Sequence, residues 1–122
     1  MYSVFEEDYV MRTIKDLVRF LARIFLKKDT VNYELPDDEG YTQTDYLHKR
    51  LIELLKQGKI NEAEDLLYKE LYVGNEKYME LALDFYDRVN DFDDEFLEKN
   101  NFSREEIEEG LKEVAGQFGL YI

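Results

Sequence analysis

Residues 54–71 read LLKQGKINEAEDLLYKEL, and their pattern decides the fold class. Upstream, Leu47, Leu51, Leu54 and Leu55 fall on one face of a helix running from about Thr44 to Gln57. Downstream, Ala63, Leu66, Leu67 and Leu71 form a second stripe that ends near Val73 and Gly74. Gly58 follows the first helix as a C-terminal cap, because glycine adopts the left-handed conformation without a Cβ penalty. Asn61 is placed as the next N-cap, with Glu64 at the third helical position and Ile60 as a hydrophobic staple. Only two residues separate Gly58 from that cap, so the two helices must form an antiparallel hairpin over 44–73.

The hairpin resembles a tetratricopeptide (TPR) repeat. Gly58 at the turn and Ala63 opening the second helix match its spacing, and Leu47, Leu54 and Leu67 supply bulk where the motif wants large residues. The resemblance implies that Tyr68 and Tyr72, one turn apart on the second helix, line a peptide groove. The other reading packs them at the edge of the core with their hydroxyls wet. One repeat cannot bury both its faces, so the rest of the chain must pack against it.

Outward toward the N-terminus lies YVMRTIKDLVRFLARIFLKK, residues 9–28. It carries six basic residues and one acid in a chain of net charge −13, which leaves −18 for the remainder. A helix over 6–28 is expected, opened by Glu6, Glu7 and Asp8 and closed by Lys27 and Lys28 in accord with the macrodipole. Its apolar surface is wide, so the acidic helices are expected to pack around it as a hub, or an oligomer to cover part of it. Arg12, Lys15, Arg19, Arg23 and Lys27 recur every three or four residues as one narrow stripe. Three explanations stand: an outer face balanced by the protein's own acids, a docking site for an acidic partner or subunit, and an amphipathic contact with an anionic membrane.

Residues 29–42, DTVNYELPDDEGYT, have no sustained period and contain the only proline, Pro36. They read as a long surface loop, and they lack the alternating ligands of a calcium loop. Beyond the hairpin, Asn75 caps a fourth helix reaching about Asn90, with Tyr78, Leu81, Ala82, Phe85 and Val89 on one face; Met79, Leu83 and Tyr86 extend that face sideways, as expected of a central helix. Asp91, Phe92, Asp93 and Asp94 lead into a short fifth helix over 95–99. Ser103 and Glu106 form a capping box, with Phe102 as staple, before a sixth helix that ends at Gly119. Gly110 and Gly116, inside that helix, mark close packing or fraying.

Taken whole, the chain is similar to a group of short, acidic bacterial proteins of uncharacterised function. The shared features are the basic-apolar opening helix, the GKINEAE-like turn and the FSREEIEEGL-like ending. That resemblance implies an all-helical fold and supplies no activity.

The totals narrow the function classes. A chain of 122 residues with 44% hydrophobic and 15% aromatic content can bury a core, so disorder is not expected. The absence of cysteine removes disulfides and thiolate chemistry and suits the cytoplasm. The net charge argues against a nucleic-acid partner. Arg19 and Arg23 interrupt the apolar run, so no membrane span is expected. His48 is the only histidine; with Asp45 it forms one Asp-x-x-His pair, whereas a bundle di-metal site needs two. A solvated or locally bonded histidine is the expectation, with no metal and no cofactor. Serine occurs only at Ser3 and Ser103, so no nucleophile partners it. Asp91, Asp93, Asp94 and Glu95 read as a cap and a solvated turn.

The expectation is therefore one all-α domain over 1–122, an orthogonal or antiparallel bundle of five or six helices containing the hairpin, with 75–118 beside it. The expected role is non-enzymatic: protein interaction or self-association through Arg12, Lys15, Arg19, Arg23, Lys27, Tyr68 and Tyr72. Membrane-surface binding through the first helix is the alternative.

Overall fold

The apolar stripes resolve into six α-helices among the described residues of the computed structural model, which covers the backbone of 4–122 and the side chains of 8–122 apart from residue 38. They are α1 (Val4–Leu26), α2 (Gln43–Lys56), α3 (Ile60–Glu70), α4 (Lys77–Asn90), α5 (Asp94–Lys99) and α6 (Arg104–Gln117). One 3-10 turn, Asp38–Gly40, interrupts the loop between α1 and α2. No strand occurs among the described residues. The acidic opening turn at Glu6 and Glu7 lies outside the described side chains.

Local chemistry ends and starts most of these helices. At Gly58 (φ +76°), its N–H reaches the Leu55 carbonyl at 3.0 Å and the Lys59 N–H reaches Leu54 at 2.9 Å. This Schellman turn reverses the chain, and α2 packs on α3. Asn101 (φ +57°) and Gly119 (φ +100°) close α5 and α6 in the same way, with Phe102 N–H on Leu97 and Leu120 N–H on Ala115. Ser103 and Glu106 make the full capping box on α6. Asn75 Oδ1 accepts the Lys77 N–H at 3.0 Å, at the start of α4.

Three expectations are corrected. α1 stops at Leu26 rather than residue 28, because Lys27 turns left-handed (φ +56°); both lysines lie beyond the helix. α3 begins at Ile60, so Asn61 is not its cap; its amide instead meets the Asn100 and Asn101 carbonyls, at 3.4 and 3.1 Å, near the end of α5. The hub is not α1 but α4, central as its wide apolar face implied: α4 packs against α1, α2 and α6. Every residue from Tyr78 to Tyr86 is buried. Among the described residues α1 fully buries one stripe, Ile14, Val18, Leu21 and Ala22, with Val10, Leu17, Phe25 and Leu26 packed at its edges, while Tyr9, Phe20 and Ile24 stay exposed beside its charges.

The core joins Leu51, Leu54 and Leu67 of the hairpin to Leu83 and Phe85 of α4 and to Ile107, Leu111 and Val114 of α6. Gly110 lets α6 approach α4 there, since a Cβ at that position would overlap the Tyr86 hydroxyl and ring. We expect Gly110→Ala to cost about 1–3 kcal/mol in urea unfolding, because a fully buried tyrosine has no room to yield. Gly116→Ala, whose added carbon meets Tyr121 only at ordinary contact distance, should cost less.

Candidate functional site

α1 presents its basic stripe in two parts. Lys15 is tied down, its Nζ 2.9 Å from Asp87 Oδ1 on α4. Arg12, Arg19, Arg23 and Lys27 are exposed. Arg19 reaches Asp16 only at 4.0 Å, and Arg23 pairs with Asp29 at 3.2 Å in full view of solvent. Exposed pairs of this kind hold their charges loosely. Beside these arginines lie Phe20 (45% exposed) and Ile24 (52% exposed), so the outward face is basic and apolar together.

Tyr68 and Tyr72 are set apart. Tyr68 is half-buried: its hydroxyl donates to the Gly110 carbonyl at 3.3 Å and lies 3.1 Å from that of Tyr86. Tyr72 lies past the end of α3, exposed, edge-on to Tyr78 with ring centroids 6.3 Å apart. The Tyr86 hydroxyl donates to Glu64 Oε2 at 2.6 Å. Burial pushes the Glu64 carboxyl up; the Tyr86 bond opposes this, while Glu106, Asp65 and Glu109 reinforce it. A carboxyl raised by folding destabilises once ionised, so the penalty is absent below the usual carboxylate range and appears as pH rises through its elevated folded value. Glu64→Gln keeps an acceptor for Tyr86 and removes that penalty. We expect its melting temperature to exceed the wild type's by about 2 °C at pH 7. The gap should close on acidification.

The loop over 29–42 is pinned by a buried polar network that the sequence reading missed. Tyr33 is its only buried side chain among those described. The Tyr33 ring stacks on His48 (4.4 Å between centroids, 11° between planes), and Lys77 Nζ lies 4.6 Å from the centroid of the same ring. The Tyr33 hydroxyl donates to Asp45 Oδ1 at 2.7 Å, and its N–H to Asp84 Oδ1 at 3.3 Å. Asp84 Oδ2 also accepts from Arg88 Nε at 2.7 Å and lies 3.0 Å from His48 Nε2. His48 is thus buried and bonded across the fold to α4, which corrects the expected solvated or locally bonded histidine. Asp45 answers Tyr33 and the Thr42 cap instead of His48. Burial raises both carboxyls, but the bonds from His48, Arg88 and Tyr33 hold Asp84 below its ordinary range, and those from Thr42 and Tyr33 do the same for Asp45. With Asp84 accepting, His48 Nε2 carries its proton, and no described group meets Nδ1. The visible signals were weak: an i, i+4 Asp84–Arg88 pair and one of two tyrosines in a polar loop.

Next to this network is a polar cleft of about 970 Å³ between the loop and the first turns of α2 and α4. Lys27, Lys28 and Lys77 line it with Asp45 and Glu80, and Thr42, Thr44, Asn32 and Asn75 add neutral donors and acceptors. Glu80 is 8% exposed; its oxygens lie 3.7 Å from Lys28 Nζ and 3.8 Å from Lys77 Nζ, beyond hydrogen-bond reach.

Among the described residues no helix is long and apolar enough to cross a membrane, and no group of three or more histidines and acids is arranged to hold a metal ion. These features define a small all-helical domain with a one-sided basic helix and a loop-bounded polar cleft. The chain belongs to DUF6483, a family of unknown function, whose sequence profile matches residues 4–119. No curated protein and no solved structure matches it.

Proposed function

We propose that this domain is a non-enzymatic interaction module that docks an acidic amphipathic helix of a partner protein on the outward face of α1. The observation that carries the reading is Phe20 and Ile24 exposed one turn apart, in a row alongside Arg19 and Arg23. An amphipathic helix laid on that surface buries its apolar residues on the pair and sets its carboxylates against the guanidinium groups. The net charge of −13 does not forbid this. Screening over about 8 Å at physiological salt means that a partner meets the local stripe. Arginine also pairs with carboxylates in bidentate geometry. Tyr72 and Val73, exposed after α3, are not needed for it.

The test places a photo-reactive residue at Ile24 and compares crosslinks in cells with and without Arg19→Glu plus Arg23→Glu. We expect a discrete adduct with one protein bearing an acidic helix, lost in the charge-reversed variant. Adducts only with lipid, only with a second copy of this chain, or equally strong after charge reversal would overturn the proposal. So would no discrete adduct. Lipid adducts, with co-sedimentation on anionic vesicles, would move the function to the membrane surface.

A further inference from the structure

We propose that the cleft between the loop and the first turns of α2 and α4 binds a small zwitterion of the α-amino-acid class, with Glu80 receiving its ammonium group and Lys28 and Lys77 its carboxylate. Charge selects this class. Three lysines, Lys27, Lys28 and Lys77, face four carboxylates, Asp29, Glu34, Asp45 and Glu80, so neither sign dominates the lining. A polyanion such as a nucleotide would meet the carboxylates, and a polycation would meet the lysines. The lining has Leu35 and Pro36 as its only large apolar residues, too little to hold an apolar ligand.

Glu80 fixes the orientation. It is nearly buried, yet the two ammonium groups stand beyond hydrogen-bond distance, so each oxygen has an ionic neighbour and no close side-chain donor among the described residues. A ligand ammonium can supply that donor, while its carboxylate takes the lysine protons that Glu80 does not engage closely. Asp45 is unsuited to the same role, because Tyr33 and Thr42 already supply donors to its two oxygens at 2.7–2.9 Å.

Two lining residues, Asp45 and Lys77, are backed before any ligand arrives by Tyr33, which lies behind the lining. Tyr33 lies between His48 and Lys77, and Asp84 and Asp45 hold its backbone and hydroxyl. The Asn75 side chain accepts the Lys77 N–H, so both the backbone and the ammonium of Lys77 are set from within the fold. Preorganisation of this kind lowers the entropy lost on binding. The volume of about 970 Å³ leaves space for an amino acid of any side-chain size together with water.

The experiment is calorimetric titration and thermal shift of the full chain with the twenty amino acids, alongside acetate, ethylamine and inorganic phosphate. We expect at least one amino acid to bind saturably, with acetate and ethylamine inert because each carries only one of the two charges. Glu80→Gln and Lys28→Met should each weaken binding about 10-fold or more while leaving the circular dichroism spectrum unchanged. Lys28 has an exposed side chain whose ion pair is to Glu80, so its removal leaves the fold in place. The proposal is overturned if no amino acid binds the wild type, if acetate or phosphate binds equally well, or if neither variant weakens binding.

Discussion

Asp84→Ala is expected to lower stability by about 3–5 kcal/mol in urea unfolding, a large part of the roughly 5–15 kcal/mol that holds such a domain together. The carboxylate serves three partners: the Tyr33 N–H, His48 Nε2 and Arg88 Nε. Its removal strands two buried donors and leaves Arg88 without its close counter-charge, and stranded donors cost more than the lost bonds themselves. Asp84→Asn keeps the shape and one acceptor, so its loss should be smaller, about 1–2 kcal/mol. The pH dependence gives a second readout. Asp84 is held below its ordinary range when folded, so its contribution is complete above the unfolded pKa, near 4, and is lost as pH falls through the lower folded value. The wild type should therefore lose stability in acid more steeply than Asp84→Asn. A loss under about 1 kcal/mol for Asp84→Ala would mean that the network does not hold the loop.

Arg104→Met should cost about as much, roughly 3–5 kcal/mol, for a different reason. Arg104 is 1% exposed, yet its guanidinium is fully engaged: Nη1 donates to the Asn90 carbonyl and side chain at 2.8 and 3.1 Å, Nη2 to the Phe92 carbonyl, and Nε to Asp94 at 3.1 Å. One side chain thereby closes the end of α4, carries the chain through the turn and anchors the start of α5. Methionine fills much of the volume and satisfies none of those oxygens. Arg104→Lys should recover little, because an ammonium cannot span the same fork of acceptors. Hydrogen exchange provides the local check: amides of α5 should lose protection before those of α2 and α3.

The hairpin and the last helix were legible because their determinants lie within a few residues of each other. Gly58 needs only its own φ and the carbonyls of Leu54 and Leu55 to reverse the chain. Ser103 and Glu106 satisfy each other across one turn. The same reasoning misplaced the start of α3, since Asn61 is a good cap in isolation and is drawn instead to carbonyls about forty residues away. It also misjudged His48, because a pattern read along α2 offers Asp45 as the neighbour, whereas the fold supplies Asp84, 36 residues later.

What the sequence determined by itself is the helical class, most helix ends and the composition of the basic stripe on α1. Periodicity and capping are short-range, and a helix registers its own faces wherever it later packs. Only the tertiary structure decided which face of α1 stays wet, that α4 and not α1 is the hub, and what the loop over 29–42 is for. Tyr33 meets Asp84 across 51 residues, Lys15 meets Asp87 across 72, and the cleft lies where the loop meets α2 and α4. Those pairings carry no period, and in a chain with 29 acidic residues each base has many partners to choose from. Packing of the apolar faces makes that choice, so the site appears only once the helices are in place.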